Sequence, residues 1–172
     1  NGAQTEQMRI LVSKDFDGDY TINGVHAATW TDITSKFAMA PPNNGSAYLS
    51  SGKGNFKELL DSEEDTTKLY FAVKQVVLNQ TLNGAGNLNR LRYFTISSLY
   101  ETLNTTLYEH ANMGWTLFAS ENKQPDRASL ENSYTIMMRN SWWTSPINYY
   151  QFDTEDWAVS VPIKFPKSLD LG

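Results

Sequence analysis

The chain has 172 residues, of which 40% are hydrophobic, 13% aromatic and only 19% charged, with no cysteine and a net charge of −5. That length suits one domain with a sizeable core, and the absence of Cys excludes disulfides, thiol catalysis and Cys-ligated zinc. There is no run of Lys and Arg of the kind a nucleic-acid partner needs, and no apolar run long enough to span a bilayer.

Taken in chain order, MRILVSK (8–14) is apolar and β-branched and predicts a buried strand. An acidic loop follows, KDFDGDY, and then ATWTDITSKF (28–37), whose alternation predicts a half-buried strand. APPNNGSA is a loop by its Pro-Pro and Asn-Gly signals. GNFKELLDSEED (54–65) places Phe56, Leu59 and Leu60 at helical spacing and is the one short helix expected. KLYFAVKQVVL (68–78) is the clearest strand, and the Asn-Gly in LNGAGNLN predicts a turn after it. RLRYFTISSLY (90–100) alternates as one strand, with Leu91, Tyr93, Thr95 and Ser97 on one face. TTLYEH, GWTLFAS, SYTIMMR and DWAVSVPIKF complete about nine strands, a pattern that predicts an all-β antiparallel sandwich with at most one short helix.

The acidic loop is the first candidate for chemistry. Asp15, Asp17 and Asp19 offer three hard oxygen ligands at alternating positions, the donor type calcium takes. An EF-hand is excluded, because the glycine is fourth (Gly18) and the twelfth position is His26. A calcium site of another kind is the alternative to the plainer reading, in which Asp and Gly simply build the turn between strands. No cofactor is expected.

Catalytic patterns are thin. His26 and His110 are the only histidines and no G-x-S-x-G is present, so a Ser-His-Asp hydrolase has little support; His26 is expected to cap a loop near Trp30. Glu58, Glu63, Glu64, Glu155 and Asp156 are the carboxylates a glycosidase pair could draw on, but Glu63, Glu64 and Asp65 read as a solvated charge run, and Asp156 as a strand start. The expectation is a protein that is not an enzyme.

Aromatic residues carry the stronger signal. NSWWTSPINYYQFDTE (140–155) gathers Trp142, Trp143, Tyr149, Tyr150 and Phe152 among Asn148, Gln151 and Asp153. Sugar rings stack on such platforms while amides and carboxylates take their hydroxyls. Trp142, Trp143, Asn148, Tyr149, Tyr150 and Asp153 are therefore the candidate ligand-binding residues. The alternative is that these rings pack over the end of the sandwich, as large aromatics mostly do. Trp30, Trp115 and Trp157 lie within strand patterns and read as core.

LVSKDFDGDY…AATWTDIT resembles the opening of jelly-roll modules in exported Bacteroidetes proteins, of the galactose-binding-like and choice-of-anchor type. KLYFAVKQ is similar to their iyiAFkY strand, and LRYFTISSL stands where they carry a tryptophan-containing strand, with Tyr93 in place of the Trp. In those modules a W-x-x-S-x-P-I strand precedes the Val-Ser strand, whereas here Trp157–Ile163 follows it. The order is either permuted or the tail starts a second module. The resemblance is nearest to an uncharacterised domain family of surface lipoproteins found beside glycan-uptake systems. It implies a jelly-roll (galactose-binding-like) sandwich, residues 1–172 as one module cut from a longer secreted precursor, and an extracellular or outer-membrane location with a lipid anchor upstream. It also implies polysaccharide or oligosaccharide, or an outer-membrane uptake complex, as partner. The reading is a non-catalytic glycan-binding surface module, with a structural spacer or adhesion module as the alternative.

Overall fold

A computed structural model describes residues 2–41, 47–60, 66–100, 102–120, 128–139 and 149–166. The described chain is almost wholly β, with eleven strands and two short α-helices: β1 (Met8–Ser13), α1 (Ile22–Ala27), β2 (Thr31–Asp32), β3 (Thr66–Val77), α2 (Gln80–Asn83), β4 (Asn89–Arg92), β5 (Thr95–Tyr100), β6 (Leu103–Glu109), β7 (Thr116–Ala119), β8 (Ser129–Glu131), β9 (Thr135–Met138), β10 (Thr154–Val159) and β11 (Ile163–Pro166). All strand pairs are antiparallel.

The main sheet runs β2-β1-β3-β10-β7, and β11 also pairs with β3. The 12-residue β3 is its spine. Its second half pairs with β1 on one side and β10 on the other, while its first half takes β11. Being flanked on both sides and covered on both faces explains why β1, β3 and β10 read as near-continuous apolar runs. Period-2 alternation then divides their side chains. Ile10, Val12, Leu69, Phe71, Val73 and Ala158 face a core shared with Ile96 of β5 and Ile136 and Met138 of β9. That core lies between the main sheet and a second layer made of the β4-β9-β8 sheet and the β5-β6 ribbon, the sandwich expected of the sequence. Leu11, Tyr70, Ala72, Trp157 and Val159 face the other way and are covered by Phe16, Val25 and the chain around α1.

Several boundaries differ from the sequence expectation, each for a local reason. RLRYFTISSLY is two strands, because Tyr93 has φ 56° and turns the chain between β4 and β5. Tyr93 is thrown outward while Phe94 swings into the core beside Phe71 and Trp115. DWAVSVPIKF is broken at Ser160–Pro162: Ser160 Oγ accepts the Phe71 N–H at 3.0 Å, and Pro162 has no N–H to give a ladder. The expected helix after Gly54 is a single 3-10 turn, Lys57–Leu59. The two α-helices lie elsewhere, each started by a capping side chain: Thr21 Oγ1 accepts the Gly24 N–H, and Asn79 Oδ1 accepts those of Thr81 and Leu82. ATWTDITSKF holds only the two-residue β2 and a 3-10 turn, Thr34–Lys36.

The N-terminal stretch is stitched to the end of β3 by amides. Gln4 Nε2 donates to the Leu78 and Gly84 carbonyls, and Gln4 Oε1 accepts the Leu78 N–H. Gln7 Oε1 accepts the Asn87 N–H at 2.7 Å, and Asn87 Nδ2 donates to the Gln4 carbonyl at 2.6 Å. These buried glutamines satisfy backbone groups that no strand pairs, which is the condition for burying them at all.

Candidate functional site

The acidic loop is a scaffold for the cover of the main sheet. Ser13 Oγ donates to Asp15 Oδ1 at 2.8 Å, and the same oxygen accepts the Thr29 N–H at 2.8 Å, so Asp15 ties the end of β1 to the far end of the loop. Those bonds from Ser13 and Thr29 hold its carboxyl below the ordinary range. Asp17 Oδ1 accepts the Asp19 N–H at 2.9 Å, and Gly24 packs so closely on the Asp19 backbone that an added methyl would run into it. Asp15 and Asp17, with Gly24, Ala27 and Ala28, line a small dent. Among the described residues no three His, Asp or Glu side chains are grouped so as to hold a metal ion.

Under this loop lies a polar hub. Glu155 Oε1 is 2.6 Å from Lys74 Nζ, and its Oε2 is 2.7 Å from His26 Nε2 and accepts the Trp157 indole N–H at 3.0 Å. Lys74 Nζ also lies 4.7 Å from the centre of the Trp157 ring. Burial pushes the Glu155 carboxyl up, but the bonds from Lys74, Trp157 and His26 and the Lys74 charge outweigh it, and its pKa lies below the ordinary value. His26, expected as a loop cap near Trp30, thus ties α1 to β10 instead. Asp156, next in the strand, points to the opposite face and is buried, so these two carboxylates cannot flank one glycosidic bond. His110 is buried too; burial lowers its pKa, and its Nδ1 accepts the Phe94 N–H at 3.2 Å.

Of the candidate binding residues, Trp142, Trp143 and Asn148 lie outside the described residues. Tyr149 is half-buried. Tyr150 is buried and exchanges hydrogen bonds with Gln80: the Gln80 N–H donates to the Tyr150 carbonyl at 2.8 Å, and the Tyr150 N–H to Gln80 Oε1 at 3.0 Å. Its ring stacks on Phe152 at 5.3 Å. Asp153 is exposed and accepts the Asn79 N–H at 2.7 Å. Tyr150 and Asp153 thus dock the segment onto α2.

Among the described residues a second aromatic group stands at the rim of the β4-β9-β8 sheet. Tyr93 and Tyr134 stack with ring centres 5.0 Å apart and planes 23° apart. The Tyr93 N–H donates to the Tyr134 carbonyl at 3.0 Å, extending the β4–β9 ladder past its end. Tyr134 follows a tight turn in which Asn132 and Ser133 have φ 56° and 57°, the signature of a type I′ turn. Tyr93 is 61% exposed and Tyr48 43%. The Arg92 guanidinium joins them, 3.9 Å from the Tyr48 ring centre, 5.4 Å from that of Tyr134 and 5.6 Å from that of Tyr93. Tyr93, Asn132 and Ser133 thus place non-glycine backbone in the left-handed region around this ring pair. Sequence reading did not single out this ring pair, because Tyr93 sat inside an apparent strand and Tyr134 lies on a different hairpin. The signals were the Asn-Ser turn before Tyr134 and the tyrosine standing where the resembled modules have tryptophan.

A family model described as a domain of unknown function, DUF5017, matches residues 1–115. The chain belongs to this family. No curated protein and no solved structure matches it. The DUF5017 match takes in the acidic loop, Tyr48, Arg92 and Tyr93, and stops at Trp115, before Tyr134 and before β10, which lies between β3 and β7 in the main sheet.

Proposed function

We propose that this DUF5017 protein is a non-catalytic surface module that binds glycan chains, and that Tyr93 and Tyr134 form the platform on which a sugar ring lies. The stacked pair, with Tyr93 exposed and Tyr134 half-buried, is the observation that carries this reading. Sugar C–H faces pack on aromatic rings, and the neighbouring polar groups of Arg92, Asn132 and Ser133 supply partners for hydroxyls. The sequence resemblance to Bacteroidetes surface lipoproteins supports a place on the outer-membrane surface beside a polysaccharide-uptake complex. A shallow shelf of this kind buries little area, so affinities fall in the micromolar to millimolar range.

The test is affinity-gel retardation across a panel of polysaccharides, with thermal melting of each variant. Tyr93→Ala and Tyr134→Ala should each abolish retardation, and Tyr93→Ala should change stability by less than about 0.5 kcal/mol, as solvent-facing substitutions do. Retardation unchanged in both variants defeats the platform. The spacer reading draws on the docking of Tyr150 against α2, which commits those aromatics to packing; it prevails if the wild type binds nothing in the panel.

A further inference from the structure

The state of Arg92 narrows the class of sugar. Elsewhere, half-buried cations meet carboxylates: Lys74 meets Glu155 at 2.6 Å, Arg9 meets Asp32 at 3.6 Å and Arg139 meets Glu131 at 3.6 Å. Arg92 is half-buried, yet among the described residues no carboxylate pairs with it. Its Nε donates to Thr135 Oγ1 at 3.3 Å, which fixes the plane of the fork. Three rings lie within 5.6 Å of the guanidinium, and its terminal nitrogens have no acceptor among the described residues. Exposed Arg90, two residues back and so on the same face of β4, adds a second cation. In a chain of net charge −5, this is a local positive site beside an aromatic shelf.

We propose that the platform takes anionic sugar chains, with the Arg92 fork gripping the carboxylate or sulfate of a sugar whose ring lies on Tyr93 and Tyr134. This rests on the platform reading and specifies its ligand. A planar fork matches an oxyanion with two parallel bonds, which an ammonium cannot do. A neutral sugar would leave the terminal nitrogens with hydroxyls alone.

Three matched probes separate the sources of charge: polygalacturonate, a sulfated galactan and neutral galactan, measured by gel retardation and by competition with free galacturonate, galactose 6-sulfate and galactose. At least one anionic polymer should bind about tenfold or more tighter than neutral galactan, in line with a charge-assisted hydrogen bond, and added salt should weaken that preference. R92Q should reduce the anionic-to-neutral ratio about tenfold, R92K should reduce it partly, and K164Q, which removes the charge of exposed Lys164 on β11, should leave it unchanged. Equal binding of all three polymers, with retardation still lost in Tyr93→Ala, overturns the anionic assignment and leaves the platform standing. Binding of none overturns both. Should R92Q melt well below wild type, competition on the unaltered protein decides: displacement by galactose at the same concentration as by the charged sugars overturns the proposal.

Discussion

Two places in this molecule set a cation against an aromatic ring, and they are built in opposite ways. In one, Lys74 lies 4.7 Å over Trp157, a ring only 2% exposed. Its charge is met by Glu155, which His26 and the indole also occupy. In the other, Arg92 lies 3.9 Å from the Tyr48 ring beside the exposed Tyr93, with no carboxylate among the described residues. The first cluster has its donors and acceptors matched within the chain, so its interaction energy is already used in folding. The second leaves the terminal nitrogens of Arg92 without an acceptor among the described residues, beside the exposed rings of Tyr48 and Tyr93. A cation–π contact alone does not tell a binding surface from a structural one; whether its remaining hydrogen bonds are filled does.

The comparison is broken most easily at Trp157. Trp157→Ala removes a buried ring whose centre lies 5.5 Å from that of Trp30, on the face of the main sheet that the chain around α1 covers. It should lower stability by about 3–5 kcal/mol, read by thermal or denaturant unfolding. A loss below about 1 kcal/mol would mean that the cover packs more loosely than described. Glu155→Gln comes next. It leaves Lys74 and His26 facing a neutral group that is only partly screened by water, and should cost about 1–2 kcal/mol at neutral pH. The pH dependence sharpens this. The folded carboxyl lies below its ordinary value, so its contribution is present above the unfolded carboxylate pKa, about 4.3, and is lost as pH falls through the lower folded value. The wild type should therefore lose its advantage over Glu155→Gln on acidification, and parallel stability curves down through that window would contradict the hub. The smallest effect is expected at Tyr93→Gly. Glycine accepts φ 56° without strain but costs entropy in the unfolded chain. Stability should stay within about 1 kcal/mol of wild type while glycan retardation disappears, so a variant that still binds removes Tyr93 from the platform.

Much of the sandwich was legible because burial on both faces writes itself into composition: MRILVS, KLYFAVKQVV and DWAV announce the three central strands. What stayed hidden depended on single backbone angles and on contacts distant in sequence. Nothing in RLRYFT marks Tyr93 as the point where one strand becomes two. α1 and α2 are too short to show an amphipathic period and rest on Thr21 and Asn79 as caps. The same limits governed the candidate site. The density of aromatics in 140–155 pointed to that segment, and of its rings Tyr150 is held by Gln80, the first residue of α2. Tyr93 and Tyr134 look isolated in sequence and meet only through the pairing of β4 with β9.

The place of β10 bears on how the chain reaches this state. β3 leaves the ribosome early, with β1 ready to zip along one side, but the partner for its other side begins only at Thr154. Until then a long apolar strand stands with an open row of N–H and C=O groups, a template for pairing with other chains. A polypeptide stopped at Trp115, where the family match ends, keeps that edge open for good. It should collect in aggregates from which added residues 116–172 rescue it only if they arrive before the edges of two such chains meet.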